Sequence, residues 1–559
     1  MPDHAAPRSA APDNAASDRA ASGTVVPDNA TSGVAPANPL APAWLHAPKD
    51  ANAFAPGVWP TGLHRDSDGV AVLSGVRVAE LAQKYGTPLY VVDETQVRDS
   101  ARRVRAAFVN AFERVGTTAE VYYAGKAFLT TDVARWVTEA DLRIDVASGG
   151  ELAVALAAGV DAARLGFHGN NKSAAELDRA VGAGVGTIVI DSAQEIERVA
   201  SAAVAHGRVQ RVRLRVRTGV HAHTHDFLAT AHEDQKFGVG LDEVESLVAG
   251  IRSHRSLEFV GLHAHIGSQI FGTEGFAESA ARLVEVHARL LSGGPVPELN
   301  LGGGFGIAYT SADRATPIEE LAQGIAHVLA AACEDVNIPV PIVCFEPGRL
   351  IVGGAGITLY TVGTTKSVAL DVRGTGGDTV DGGADGSGSA GAGADAAASS
   401  ASRLYVSVDG GMSDNARPAL YGADYSTRIV GRISDAAATL VRVAGKHCES
   451  GDIVVDADYL PGDVRPGDLL AVAATGAYCW SLSSNYNYLP RPAVVAVNEG
   501  ESRVIVRGET IDDLLARDLG ARHSAAVSAV PGRDADAPGP LARAEREHER
   551  EHENSQEEQ

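Results

Sequence analysis

The sequence predicts an α/β protein, a (β/α)8 barrel of the TIM type followed by a separate β domain. Three observations predict it. Between about residues 89 and 350, eight β-rich runs after LYVVD each precede a helix-like segment. From about 355 to 518 the pattern changes to short strands punctuated by Gly and Pro, with little helix. The chemically unusual residues fall at the C-terminal ends of the β-rich runs, where barrels carry their active sites.

Residues 1–48 are dominated by Ala, Pro, Ser, Asp and Asn and cannot bury enough apolar surface to offset chain entropy, so disorder is expected there. Residues 49–92 carry short strands expected to join the β domain. The barrel is expected over 93–354, its strands read from VYYAGKA, RIDVAS, RLGFHG, TIVID, VRLRV, VGLHAHIGS, LNLGGGFG and IVCFEPG. Between them, GELAVALAAG and SAAELDRAVGAG have the apolar spacing and closing glycine of amphipathic helices. The β domain is expected over 355–520. It is interrupted at 371–402 by a Gly-, Ala- and Asp-rich stretch that reads as a flexible insertion, because strand-like sequence resumes at RLYVSVDGG. Residues 521–559 form an acidic tail with no apolar stripe to dock it.

The net charge of −23 over 559 residues argues against a nucleic-acid partner, since phosphate binding needs a basic surface. Four irregularly spaced cysteines are too few for a disulfide framework and suit a reduced cytoplasm. No apolar run approaches the ~20 residues of a membrane span, and no basic-then-apolar secretory signal opens the chain. A cytoplasmic protein is expected.

The candidate chemistry lies in four strand-end motifs. Lys126 ends VYYAGK, where a partly buried amine can react with an aldehyde; a lysine at a strand end is otherwise ordinary. In LGGGFG, Gly302, Gly303 and Gly304 can let backbone N–H groups converge on a phosphate, or form a simple tight turn. The dinucleotide spacing G-x-G-x-x-G is missing. In HAHIGSQ, His263 and His265 share a strand face and read as a metal pair, a ring-stacking imidazole or a hydrogen-bonded core histidine. Glu346-Pro347-Gly348-Arg349 offers a carboxylate able to keep a pyridine nitrogen protonated and a guanidinium fork for phosphate or carboxylate, or else a strand-end salt bridge. His221, His223 and His225 alternate suggestively, but no carboxylate or cysteine set at ligand spacing accompanies them, and no metal is expected.

Together with DGGMSDNARPALY, CESGD and GAYCWSLSSNYN, these strings resemble the pyridoxal-phosphate (PLP) enzymes of the alanine-racemase-like barrel group, fold type III. That group holds the diaminopimelate, ornithine and arginine decarboxylases, and the resemblance, covering about 60–518, is strongest to the first. It implies PLP as cofactor and decarboxylation of meso-diaminopimelate to L-lysine and CO2, the last step of lysine biosynthesis by that route. Lys126 is implied as the Schiff-base lysine, His265 as the ring-stacking residue, and Ser268 with Gly303 and Gly304 as the phosphate cradle. Glu346 is implied at the pyridine nitrogen, with Pro347, Gly348 and Arg349 beside the cofactor. Arg349, Arg417 and Tyr421 are implied as contacts to substrate carboxylates, and Tyr478 as a contact to cofactor and substrate. Cys448 as proton donor and Glu449 near the distal amine are implied to come from the neighbouring subunit, which makes a homodimer necessary. Arg417 favours diaminopimelate over ornithine, arginine or carboxynorspermidine, because a buried arginine left without its carboxylate disfavours a substrate with a bare cationic end. A non-catalytic binding relative would have lost Lys126 or Cys448, and both are present.

Overall fold

The computed structural model describes residues 38–220, 236–372 and 399–521. Strand β1 (Leu89–Asp93) alternates by side-chain face, as a strand buried on both sides must. Leu89 and Val91 enter an apolar layer with Trp59, Leu73 and Leu81, whereas Tyr90 and Val92 face the main core that runs into the barrel. Asp93 then caps the following helix α1 (Glu94–Glu113) by accepting from the Gln96 N–H at 3.1 Å. Val97, Ala101, Val104, Phe108 and Phe112 recur on one face of α1 and are buried. Phe108 stacks on Phe345 with ring centroids 3.9 Å apart.

Eight parallel strands close into the predicted barrel. They are β2 (Ala119–Ala124), β3 (Arg143–Val146), β4 (Leu165–Phe167), β5 (Thr187–Ile190), β6 (Gln210–Arg215), β7 (Leu257–His263), β8 (Glu298–Asn300) and β9 (Ile342–Phe345). Each pairs with its neighbour in chain order, and β9 closes on β2 with Phe345 opposite Val121. The two segments read as helices are Gly149–Ala157 and Ala174–Ala183. Ser148 caps the first, Ser173 and Glu176 form a capping box on the second, and Gly184 ends it at φ 84°, a left-handed position natural to glycine.

The chain enters and leaves the barrel through one mixed sheet. β10 (Gly356–Val372) pairs antiparallel with β1, and β14 (Ala493–Asn498, taken with the strands named next) pairs parallel with it. Beyond β10 lie β11 (Ser399–Val408), β12 (Ala438–Ala444) and β13 (Ile453–Pro461). Val495 and Val497 of β14 face the layer of Trp59, and Val494 and Ala496 face the main core.

Two sequence expectations need correction. Residues 38–48 were expected to be disordered with the rest of 1–48, yet Leu45 is buried against Leu440, Ala457 and Tyr459, with Leu40 and Trp44 beside it. Arg403 also donates to the Leu40 carbonyl at 3.2 Å. Local composition could not reveal this, because the apolar partners lie some 400 residues away along the chain. The 371–402 insertion is narrower than expected: β10 and β11 pair as far as Val372 opposite Ser399. Residues 373–398, the acidic tail from 522, residues 1–37 and the histidines at 221, 223 and 225 lie outside the described residues.

Candidate active site

The C-terminal ends of the barrel strands surround a cavity of about 450 Å³. Lys126 stands in it on the turn that follows β2, solvent-exposed rather than partly buried as expected. Three contacts set that turn. The Ala124 N–H donates to the Pro347 carbonyl at 3.1 Å, and the Tyr478 N–H donates to the Ala127 carbonyl at 2.8 Å. Gly348 packs so closely that a Cβ there would lie 2.9 Å from the Ala124 carbonyl oxygen. The EPGR turn of the barrel and the GAY loop of the β sheet therefore clasp the lysine turn from two sides.

Opposite lies a glycine cradle at the ends of β7 and β8. Gly302 and Gly304 have φ of 70° and 110°, conformations open to glycine. A Cβ on Gly303 would sit 2.1 Å from the Glu346 carbonyl oxygen, and one on Gly304 would sit 2.4 Å from that of Gly267. The Ile270 N–H donates to the Gly304 carbonyl at 2.9 Å, zipping the two loops together. Ser268 stands over this cradle and accepts from Arg349 at 3.0 Å. Arg349 also donates to the Tyr309 hydroxyl, and its guanidinium lies 4.7 Å from the centre of the Tyr478 ring.

Glu346 occupies the floor. Its carboxylate accepts from Asn300 at 2.7 Å and meets His263 Nε2 at 3.1 Å and His168 Nε2 at 3.4 Å. Burial alone would raise this carboxyl, but the pull and hydrogen bond of His263, together with His168, hold it well below the ordinary range. Burial pushes His168 and His263 themselves down to about 4. At neutral pH these imidazoles are uncharged, and His263 stabilises the Glu346 carboxylate as a hydrogen-bond donor through its Nε2 rather than as a cation. Asp145 is shifted the opposite way, raised by its burial and then by the charge of Glu346, and it holds His168 Nε2 at 3.0 Å. His265 is neutral too, pushed well down by burial and then by Lys126, and the Gly303 N–H donates to its Nδ1 at 3.3 Å. That bond orients the ring and leaves it uncharged, as a flat apolar face should be.

Of the sequence-predicted residues, the structure brings Lys126, His265, Ser268, Gly304, Glu346, Gly348, Arg349, Tyr421 and Tyr478 to one cavity. Gly303 and Pro347 act from behind the wall, through the backbone bonds described above. Arg417 is not among the lining residues. It is 5% exposed, donates to the Tyr425 hydroxyl at 2.5 Å and lies 4.5 Å from the centre of the Tyr309 ring, one layer behind Arg349. Cys448 and Glu449 are exposed at the tip of the β12–β13 hairpin and do not line this cavity. His263 is hydrogen-bonded through its Nε2 to Glu346, the arrangement that the core-histidine reading expects. His168, Glu346 and His263 do bring three possible metal-ligand atoms within 4.8 Å of one another.

Sequence reasoning missed Asp145, His168 and Arg215 as lining residues. A signal was available. Each sits at the end of a strand that had been read correctly, so the rule that located Lys126 and Glu346 would have located them as well.

Residues 98–353 match the family model described as the pyridoxal-dependent decarboxylase, pyridoxal binding domain. The chain is 48% identical over 474 residues to the diaminopimelate decarboxylase of Mycobacterium tuberculosis, covering 83% of this chain and 98% of that one. It is 40% identical over 459 residues to that of Bacillus subtilis, covering 81% and 96%. Among solved structures, diaminopimelate decarboxylase from M. jannaschii in complex with L-lysine superposes with a TM-score of 0.71 at 28% identity, covering 83% of this chain and 99% of that one. The Helicobacter pylori enzyme complexed with L-lysine gives 0.66 at 26%, covering 79% and 98%. With a lysine at the barrel mouth, a glycine cradle beside it and relatives matched along nearly their whole length, this chain belongs to the diaminopimelate decarboxylase family of pyridoxal-dependent decarboxylases.

Proposed function

We propose that this chain decarboxylates meso-diaminopimelate to L-lysine and CO2 with pyridoxal phosphate as cofactor. The observation that carries this reading is the convergence of Lys126, Glu346, His265 and the 302–304 cradle on one cavity. The cradle fits a phosphate, because any side chain at Gly303 or Gly304 would collide with backbone, and Ser268 and Arg349 add a hydroxyl and a cation there. The floor fits a protonated pyridine nitrogen, because Glu346 remains an anion despite its burial. Pyridoxal phosphate, when bound, supplies the electron sink that accepts the electron pair left by departing CO2.

The chain's own residues do the rest. Lys126 would supply the amine that holds the cofactor. Glu346 would keep the ring nitrogen protonated, and neutral His265 would offer the ring an uncharged face. Arg349 and Tyr421 orient substrate carboxylates, with Tyr478 between substrate and cofactor. Arg417 adds positive potential from behind Tyr309, which favours a substrate whose far end carries a carboxylate over one ending in a bare cation. Cys448 delivers the proton to Cα, and Glu449 meets the distal amine. Both reach the cavity of a second copy of the chain, because each is exposed and off the cavity of its own chain. The working enzyme in this reading is a homodimer in the cytoplasm. Among the described residues no helix is long and apolar enough to cross a membrane.

Measuring CO2 release from meso-diaminopimelate, ornithine and arginine tests the substrate directly. Diaminopimelate should be turned over far faster, and a preference for either of the others would overturn the assignment.

A further inference from the structure

The hairpin tip that carries Cys448 and Glu449 has an unusual construction. Residues 448–451 are all exposed, and the residues on either side of them, His447 and Asp452, are 8% and 2% exposed. The Asp452 carboxylate accepts three hydrogen bonds. Met412 N–H donates at 2.6 Å, His447 N–H at 2.7 Å and His447 Nδ1 at 2.9 Å. A carboxylate only accepts, so Nδ1 carries the imidazole proton. The His447 ring lies parallel to Tyr486, 8° apart with centroids at 5.4 Å. Two glycines make room for this carboxylate. A Cβ on Gly445 would lie 2.2 Å from Asp452 Oδ2, and one on Gly411 would lie 2.5 Å from Oδ1 and 2.6 Å from His447 Nδ1. Lys446 N–H donates to the Gly410 carbonyl at 2.9 Å, tying the tip a second time to the 409–412 turn.

We propose that Asp452 and His447 are positioning residues for the reaction, holding the 448–451 loop in the one shape that presents Cys448 and Glu449 outward. The proposal rests on the reading that Cys448 acts in the reaction. A loop of four exposed residues would otherwise sample many conformers, and the reacting atom tolerates little displacement. Misplacement by ~1 Å costs on the order of 100-fold in rate. Tethering both ends of the loop to one buried carboxylate removes that freedom before the substrate arrives.

The test is a double-mutant cycle in the PLP-loaded, full-length enzyme. His447→Phe keeps the ring over Tyr486 and deletes the Nδ1 donor, whereas His447→Asn can restore a donor at that position. His447→Phe should lower kcat roughly 10- to 100-fold. The PLP absorbance should barely move, KM should rise through the displaced Glu449, and the melting temperature should fall only by what one lost buried hydrogen bond accounts for. His447→Asn should recover a good part of the rate. In a Cys448→Ala background His447→Phe should lower kcat no further, because both changes remove the same proton delivery. Wild-type kcat in His447→Phe, or losses that multiply in the double mutant, would overturn the proposal. A wild-type rate in Cys448→Ala alone is a separate failure, that of the underlying reading. Should His447→Phe not fold, Asp452→Asn, which replaces an acceptor facing two N–H groups, goes through the same cycle with the same expectations.

Discussion

Gly304→Ala is a sharp probe of the phosphate cradle. The new Cβ would meet the Gly267 carbonyl oxygen at 2.4 Å and Ile270 Cδ1 at 2.9 Å. Ile270 can rotate away, but the Gly267 carbonyl is backbone and cannot. Relieving that contact requires the two loops to part by ~0.8 Å, and the residue must also hold φ at +110°, which costs an L-residue on the order of 1–3 kcal/mol. The Ile270 to Gly304 hydrogen bond at 2.9 Å resists the movement, so part of the strain passes to the cradle. If most of that cost is relieved by opening the cradle, PLP affinity falls roughly 5- to 150-fold, the equivalent of ~1–3 kcal/mol. Titrating PLP into the apoenzyme and following absorbance near ~420 nm, where a PLP–lysine Schiff base absorbs, measures this directly. Gly354→Ala is the control, since its Cβ would approach only Gln96 Nε2, at 3.7 Å. Unchanged PLP affinity in Gly304→Ala would refute the placement of the phosphate at this cradle.

Lys126→Ala should abolish turnover and the absorbance near ~420 nm while leaving the melting temperature of the apoprotein intact, because the side chain is exposed. Loss of folding instead would make Lys126 structural. Mixing equal amounts of Lys126→Ala and Cys448→Ala protomers under exchange should restore about a quarter of wild-type activity, one intact site in each mixed dimer. No recovery, with mixed dimers shown to form, would mean that the two residues serve the same chain's cavity. His287, buried in helix Glu274–Leu290 with an unpartnered Nδ1, is pushed by burial from 6.5 down to about 4. Between those values the unfolded chain binds a proton that the folded chain refuses, so this histidine destabilises the fold increasingly as pH falls. The stability of His287→Leu relative to wild type should therefore be flat above pH ~6.5 and rise by on the order of 2–3 kcal/mol toward pH ~4. Denaturant melts of both proteins across that range check it, and a constant difference would show that His287 is not held neutral.

Much of this protein is legible in its sequence because the signals are local. The eight barrel strands announce themselves as short β-rich runs separated by helical periodicity, and capped helices begin at Ser148 and Ser173 as their side chains dictate. Lys126, the glycines at 302–304 and Glu346 stand at strand ends, so the barrel's geometry delivers them to one rim without further information. What lies across the fold was illegible. The Glu346 carboxylate looks ordinary until barrel closure sets His263, His168 and Asp145 around it from three other strands. Arg417 looks like a substrate contact in ARPALY, yet packing places it behind Tyr309, bonded to Tyr425.

The sequence by itself therefore determined the barrel, the β domain and the strand-end chemistry, since these depend on periodicity and on residues within a few positions of one another. Only the tertiary structure decided which groups are charged and which side chains reach the cavity. It alone showed Leu45 docked on the far β strands, and Cys448 exposed at a hairpin tip off its own chain's cavity, between two buried anchors. Those outcomes depend on desolvation and on contacts that only folding brings about, whether 8 residues apart, as for Arg417 and Tyr425, or nearly 400, as for Leu45 and Leu440.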